Sequence, residues 1–166
     1  KRAPEADRSA PRLSSRTYLF GLHNIGSAAL KALEDIDQPF VVVDFDPTVI
    51  RELTDVGVSA VYGDASDEAF LEQLGVERAH SVISTIPEVS VSLELLGYLR
   101  ARNFKGTAIV SARLPEEASK CYAAGATFVI IPTVLGGEKL RELLTEKKTR
   151  RLSWERLART SRQAAV

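Results

Sequence analysis

Two glycines, a histidine and a carboxylate in the first third of the chain have the types and spacing to hold a phosphorylated nucleoside. Tyr18-Leu19-Phe20 is a short apolar run, Gly21-Leu22-His23-Asn24-Ile25-Gly26 follows it, and Val41-Val42-Val43-Asp44 closes the unit. In order these read as a strand, a tight turn, a helix and a second strand ending in an acid, the plan of a dinucleotide-binding unit. Gly21 stands where the chain leaves the strand and Gly26 where the helix lies close on the sheet, so a side chain would obstruct either place. The backbone N–H groups from Leu22 through His23, Asn24 and Ile25 to Gly26 lie at an open helix start without intrahelical acceptors. A helix dipole favours an anion there by roughly 0.3–1 kcal/mol. Asp44 follows Gly26 at close to the offset of about 20 residues at which an acid accepts hydrogen bonds from ribose hydroxyls.

Two of these residues bear on which ligand fits. His23 takes the place of the middle glycine of G-x-G-x-x-G, and its Cβ pushes the phosphates outward or tilts them. Its imidazole is either a solvent-exposed turn residue or a ligand contact. Asp44 disfavours NADP, because a 2′-phosphate about 4 Å from its carboxylate meets repulsion of about 4 kcal/mol per unit charge at an effective dielectric of 20. AMP, ADP, ATP and NAD(H) all present the ribose diol, so Asp44 does not choose among them.

Elements able to position these groups alternate along the chain. Strand-like runs rich in Val and Ile fall at Thr17–Phe20, Phe40–Asp44, Ser59–Tyr62, His80–Ser84, Thr107–Ser111 and Thr127–Ile131. They are apolar enough to be covered on both faces, as in a parallel sheet. Helical stretches lie between them at Ile25–Glu34, Thr48–Val56, Asp67–Leu74, Val89–Arg102 and Pro115–Ala124, with a sixth from Gly136 or Gly137. Asp46-Pro47 opens the second helix, Ser66 or Asp67 caps the third, and Gly125 ends the fifth. Six βα units predict an α/β, Rossmann-like, doubly wound six-stranded parallel sheet of order 3-2-1-4-5-6 with helices on both faces.

The carboxyl ends of strands one to four then converge on one crevice. There Asp64 could accept from an adenine amino group, with Ala65 leaving room for the ring, or Asp64 or Asp67 could cap a helix. Thr85 could reach a phosphate or ribose, or only end its strand. Arg113 is a cation for a phosphate or a partner subunit, or the surface partner of Glu116 or Glu117.

Composition sets the limits. The chain has 166 residues, 45% hydrophobic and 27% charged, enough for one sizeable core. No apolar run approaches the eighteen or so residues of a membrane span, and no stretch of the sequence resembles a signal peptide. A single cysteine, Cys121, excludes an internal disulfide and reads as a small packed side chain. The absence of methionine leads us to expect a piece of a longer product. Formal charge is zero overall but uneven: residues 1–17 carry +3, residues 146–166 carry +5 and the stretch between carries −8. A negative centre argues against a nucleic-acid partner. Residues 1–16, with Pro4, Pro11 and several serines, read as a flexible basic linker, and 17–145 as the folded domain. Residues 146–166 could extend the last helix onto a second copy, lie on anionic lipid, or be a solvated disordered end.

The glycine turn, Val43-Asp44-Phe45-Asp46-Pro47, Tyr62-Gly63-Asp64-Ala65-Ser66-Asp67, Ala79-His80-Ser81-Val82-Ile83-Ser84-Thr85, Ala112-Arg113 and Ala124-Gly125-Ala126 together resemble the RCK or TrkA-N nucleotide-binding domain. The likeness runs from about Tyr18 to Leu144. Asn24-Ile25-Gly26 and Ile83-Ser84-Thr85-Ile86-Pro87 look most like the cytoplasmic domains at the C-terminus of prokaryotic Kef-type cation:proton antiporters. The resemblance implies a dimeric regulatory domain on the cytoplasmic side of a membrane, attached to a potassium or sodium transport protein and binding AMP, ADP, ATP or NAD(H). It brings Phe45, Asp46, Gly63 and Ile86 into the expected site beside the residues above.

The competing class is a free-standing NAD-dependent oxidoreductase or other nucleotide-binding protein. A dehydrogenase needs a substrate domain and an acid or base at the nicotinamide, yet the only histidines are His23 and His80. Without a nucleophile elbow, a complete phosphate loop or a metal-ligand spacing, no catalytic residue and no metal site are expected.

Overall fold

The computed structural model describes residues 16–36 and 38–145. Apart from Arg16, the expected linker and basic tail fall outside the described residues. The strands are β1 (Thr17–Phe20), β2 (Phe40–Asp44), β3 (Ala60–Tyr62), β4 (Ser81–Ser84), β5 (Thr107–Ser111) and β6 (Phe128–Ile130). The helices are α1 (Asn24–Asp35), α2 (Pro47–Asp55), α3 (Glu68–Leu74), α4 (Val89–Ala101), α5 (Pro115–Ala124) and α6 (Pro132–Thr145). All strand pairs are parallel, and the order is β3-β2-β1-β4-β5-β6. The doubly wound sheet expected from the alternation of elements is therefore present.

Alternation along the central strands sorts side chains to two covered faces. Leu19 and Val42 join Leu33 of α1 and Leu53 of α2 on one face. Tyr18, Phe20, Val41 and Val43 join Leu71 of α3, Leu95, Leu96 and Leu99 of α4 and Cys121 of α5 on the other. A strand between two helical layers must be apolar in both directions, which is why β1 and β2 read as unbroken hydrophobic runs. Polar side chains of this core other than the buried, unpartnered Thr17 hydroxyl include two satisfied cases. The Tyr18 hydroxyl donates to the carbonyl of Leu74 at 2.7 Å, and the hydroxyls of Ser84 and Ser92 lie 2.9 Å apart.

The ends of the helices follow local chemistry. The Asp46 side chain accepts from the Thr48 N–H at 2.8 Å, with Pro47 opening α2. Asp67, rather than Ser66, caps α3 by accepting from Ala69 and Phe70. Gly125 ends α5 at a φ of +110°, in the left-handed region a glycine adopts freely. One boundary differs from the sequence reading: α6 begins at Pro132, not at Gly136 or Gly137. Proline's preset φ suits a first helical turn, and both glycines are carried inside the helix. The chain divides into two compact units after Ile131, so α6 belongs to a unit of its own.

On the α4 side, the Tyr98 hydroxyl donates to the Glu77 carboxylate at 3.1 Å, and the Arg102 guanidinium stacks 3.8 Å from the ring centroid. Burial first, then the Glu77 charge, push the phenol up to about 12. Because the folded-state value lies above the unfolded one, this group's contribution is complete below about pH 10 and is lost as pH rises toward about 12. Denaturation at alkaline pH should therefore show a steeper loss of stability between these limits in the parent than in Tyr98→Phe.

Candidate functional site

The register of the sheet brings the ends of β1, β2, β3 and β4 level. Phe20 pairs with Val43 on one side and Ser84 on the other, and Asp44 pairs with Tyr62. Beyond these ends opens a crevice of about 610 Å³, walled among others by Gly21, His23, Asp44, Phe45, Gly63, Asp64, Ala65, Ile86 and Glu88. It lies at the reversal of strand order between β1 and β4, where open α/β sheets bind ligands.

Asp44 is the organising group. It is only 3% exposed, and each carboxylate oxygen meets one backbone donor: Oδ2 accepts from Leu22 N–H at 2.8 Å and Oδ1 from Asp46 N–H at 2.9 Å. A carboxylate oxygen has two acceptor positions, so each retains one for a further donor. The bond to Leu22 fixes the glycine turn against the end of β2.

The turn itself is built from close backbone approach. Gly21 has a φ of +81°, and a Cβ there would sit 3.0 Å from Ile86 Cγ1. A Cβ at Gly26 would collide with the carbonyl oxygen of Gly21 and lie 2.7 Å from Thr85 Oγ1. Thr85 is buried, and its hydroxyl donates to that same carbonyl at 2.7 Å. Thr85 therefore fastens the turn to β4 and does not line the crevice.

Two of the helix starts at the crevice lack a side-chain cap. His23 precedes α1 and Glu88 precedes α4, both line the crevice, and neither side chain caps its helix. Neither helix carries an acidic residue in its first turn. α2 and α3, by contrast, have their own aspartate caps. Two helix dipoles thus reach the crevice uncompensated by their own side chains.

Other expected residues take different places. Asp64 lines the crevice while Oδ1 accepts from the N–H and the hydroxyl of Ser66 at 2.8 and 2.7 Å, an Asx turn. Asp46 is spent on capping α2. Leu22, Asn24, Ile25 and Gly26 form the backbone of the turn and the start of α1 rather than the crevice wall. Arg113 lies away from the crevice, 75% exposed, with its guanidinium 3.8 Å from Glu117. Glu117 also accepts from the N–H groups of Arg113 and Leu114, which holds that arginine at the start of α5. Phe70, Glu88 and Val91 line the wall without having been singled out from the sequence, and Tyr62, there only part of a quoted segment, is placed beside Asp44 by register. Tyr62 and Phe45 are 60% and 63% exposed, offering aromatic surface at the rim.

Residues 17–132 match the TrkA-N domain. The putative cation/proton antiporter YbaL of Escherichia coli K12 is 29% identical over 130 residues, covering 78% of this chain but only 23% of that protein. The solved TrkA-N domain of Escherichia coli YbaL is similar in structure, with a TM-score of 0.74 at 29% identity, covering 78% of this chain and 96% of that one. A structure of GsuK bound to ADP has a TM-score of 0.68 at 28% identity, covering 81% of this chain and 35% of that one. Among the described residues no helix is long and apolar enough to cross a membrane.

Gly26→Ala should lower stability by about 1–3 kcal/mol, because its new Cβ meets backbone and a buried hydroxyl. Gly97→Ala, on an open part of α4 with nothing within 4 Å of the added atom, should instead be neutral or stabilising by about 0.5–1 kcal/mol. Urea denaturation of the two variants tests the contrast.

Proposed function

The chain belongs to the TrkA-N domain family, and from that membership we propose that it is the nucleotide-sensing regulatory domain of a monovalent-cation transport protein, of the cation:proton antiporter or potassium-transport kind. It acts on the cytoplasmic side of the membrane, pairs with a second copy, and biases a transport domain in the same full-length chain. The ligand is an adenine nucleotide lying in the crevice at the strand ends: AMP, ADP, ATP or NAD(H), and not NADP.

The observation that carries this reading is the Asp44 carboxylate. It is buried, oriented by Leu22 and Asp46, and left with one acceptor position on each oxygen beside the start of α1. A vicinal diol supplies two donors to such a carboxylate, and the uncapped start of α1 supplies N–H groups to a phosphate. Phe45 and Tyr62 give the base a surface to stack on. YbaL and the ADP-bound GsuK structure support the transport setting and the ligand class. Regulation follows if the nucleotide binds one arrangement of the pair more tightly than another, since that difference in affinity is all that passes to the transport domain.

Calorimetric titration with AMP, ADP, ATP, NAD⁺, NADH and NADP⁺ tests the proposal. At least one of the first five should bind, NADP⁺ should not, and Asp44→Asn should weaken binding by about tenfold or more through the lost charge-assisted hydrogen bonds. Absence of binding by all six would overturn it.

A further inference from the structure

The walls of the crevice carry an unusual charge set for a phosphate site. Asp44 comes from β2, Asp64 and Asp67 from the loop after β3, and Glu88 from the residue before α4. Among the described residues no lysine or arginine lines it, and the Arg113 guanidinium lies beside Glu117. Among the described residues of the wall, His23 is the one group able to carry positive charge.

Its backbone suits a side chain. His23 has a φ of −87° and a ψ of −160°, extended geometry that does not call for the glycine expected at this place of the turn. Its carbonyl accepts from the N–H and the hydroxyl of Ser27 at 2.9 and 3.2 Å, which holds the backbone. The imidazole is left free of capping α1.

Resting on the nucleotide-binding reading above, we infer that His23 is the phosphate-contacting, specificity-determining residue of this crevice, and that it makes affinity for phosphorylated adenosine depend on pH. Imidazole is the side chain whose charge ordinarily changes between about pH 5 and 8. As the imidazolium it donates to a phosphate oxygen and offsets the surrounding carboxylates. Neutral, it leaves the phosphate with backbone amides alone, facing four acidic side chains. Ligand affinity therefore rises as pH falls, provided that the ligand carries a phosphate.

The probe is the methyl ester of adenosine 5′-monophosphate, a phosphodiester with one fixed negative charge, compared with adenosine by calorimetry at about pH 5.5 and about pH 8. The ester should bind about tenfold tighter at the lower pH, as expected for a charge-assisted hydrogen bond, while adenosine affinity stays level. His23→Gln, an exposed position that does not threaten folding, should abolish the pH difference for the ester. An ester affinity independent of pH in the parent, or a pH difference that survives in His23→Gln, overturns the role of His23 and leaves the nucleotide reading standing. Failure of the ester and of adenosine to bind at either pH overturns the role of His23, and failure of AMP, ADP, ATP, NAD⁺, NADH and NADP⁺ as well overturns both.

Discussion

A carboxylate buried at the end of a β-strand is costly unless its charge is met, and at Asp44 it is met by two backbone N–H groups. One donor belongs to the following loop and the other to Leu22 in the turn after β1. Through that second bond the acid joins the end of β2 to the glycine turn, which in turn rests on β4 through Thr85. The crevice is thus held open by a chain of short polar contacts running across three neighbouring strands. The apolar layers above and below supply most of the free energy of folding, but they do not set this local geometry. Asp44 combines a structural duty with residual acceptor capacity, so the group that shapes the turn is also the group that can read a sugar.

The distribution of helix caps fits the same logic. α2 and α3 satisfy their first N–H groups with Asp46 and Asp67, the latter on the crevice wall itself. At the crevice, α1 and α4 leave this work undone. A helix start that lacks its own anion is poorer in stability by about 1 kcal/mol than a capped one, and two such starts around one cavity mark a place where stability has been given up for ligand contact. The likeness to the solved YbaL domain extends over this whole sheet.

Much of this was legible in the residues because parallel α/β sheets write themselves in one dimension. Apolar runs such as Val41-Val42-Val43 separated by capped helical stretches dictate crossovers, and crossovers of one hand dictate strand order. Gly21, Gly26 and Asp44 were legible for a similar reason, since each answers a local steric or charge requirement. Register was not: nothing in the local sequence sets Tyr62 level with Asp44, a fact that depends on how β3 slides along β2. For Arg113 the residues left open a phosphate or partner contact and a pairing with Glu116 or Glu117, and the structure places its guanidinium beside Glu117. The start of α6 was placed at one of two adjacent glycines, while Pro132 opens the helix ahead of them.

The central place of β1 has a consequence for biosynthesis. Its first neighbour, β2, leaves the ribosome soon after it, but its second, β4, comes much later: 64 residues separate Gly21 from Thr85, which close around each other in the finished turn. During translation β1 therefore spends an interval with one hydrogen-bonding edge unpaired and Tyr18 and Phe20 uncovered by α3 and α4. Such a nascent half-sheet is a natural client for a chaperone, and the glycine turn matures only when β4 arrives.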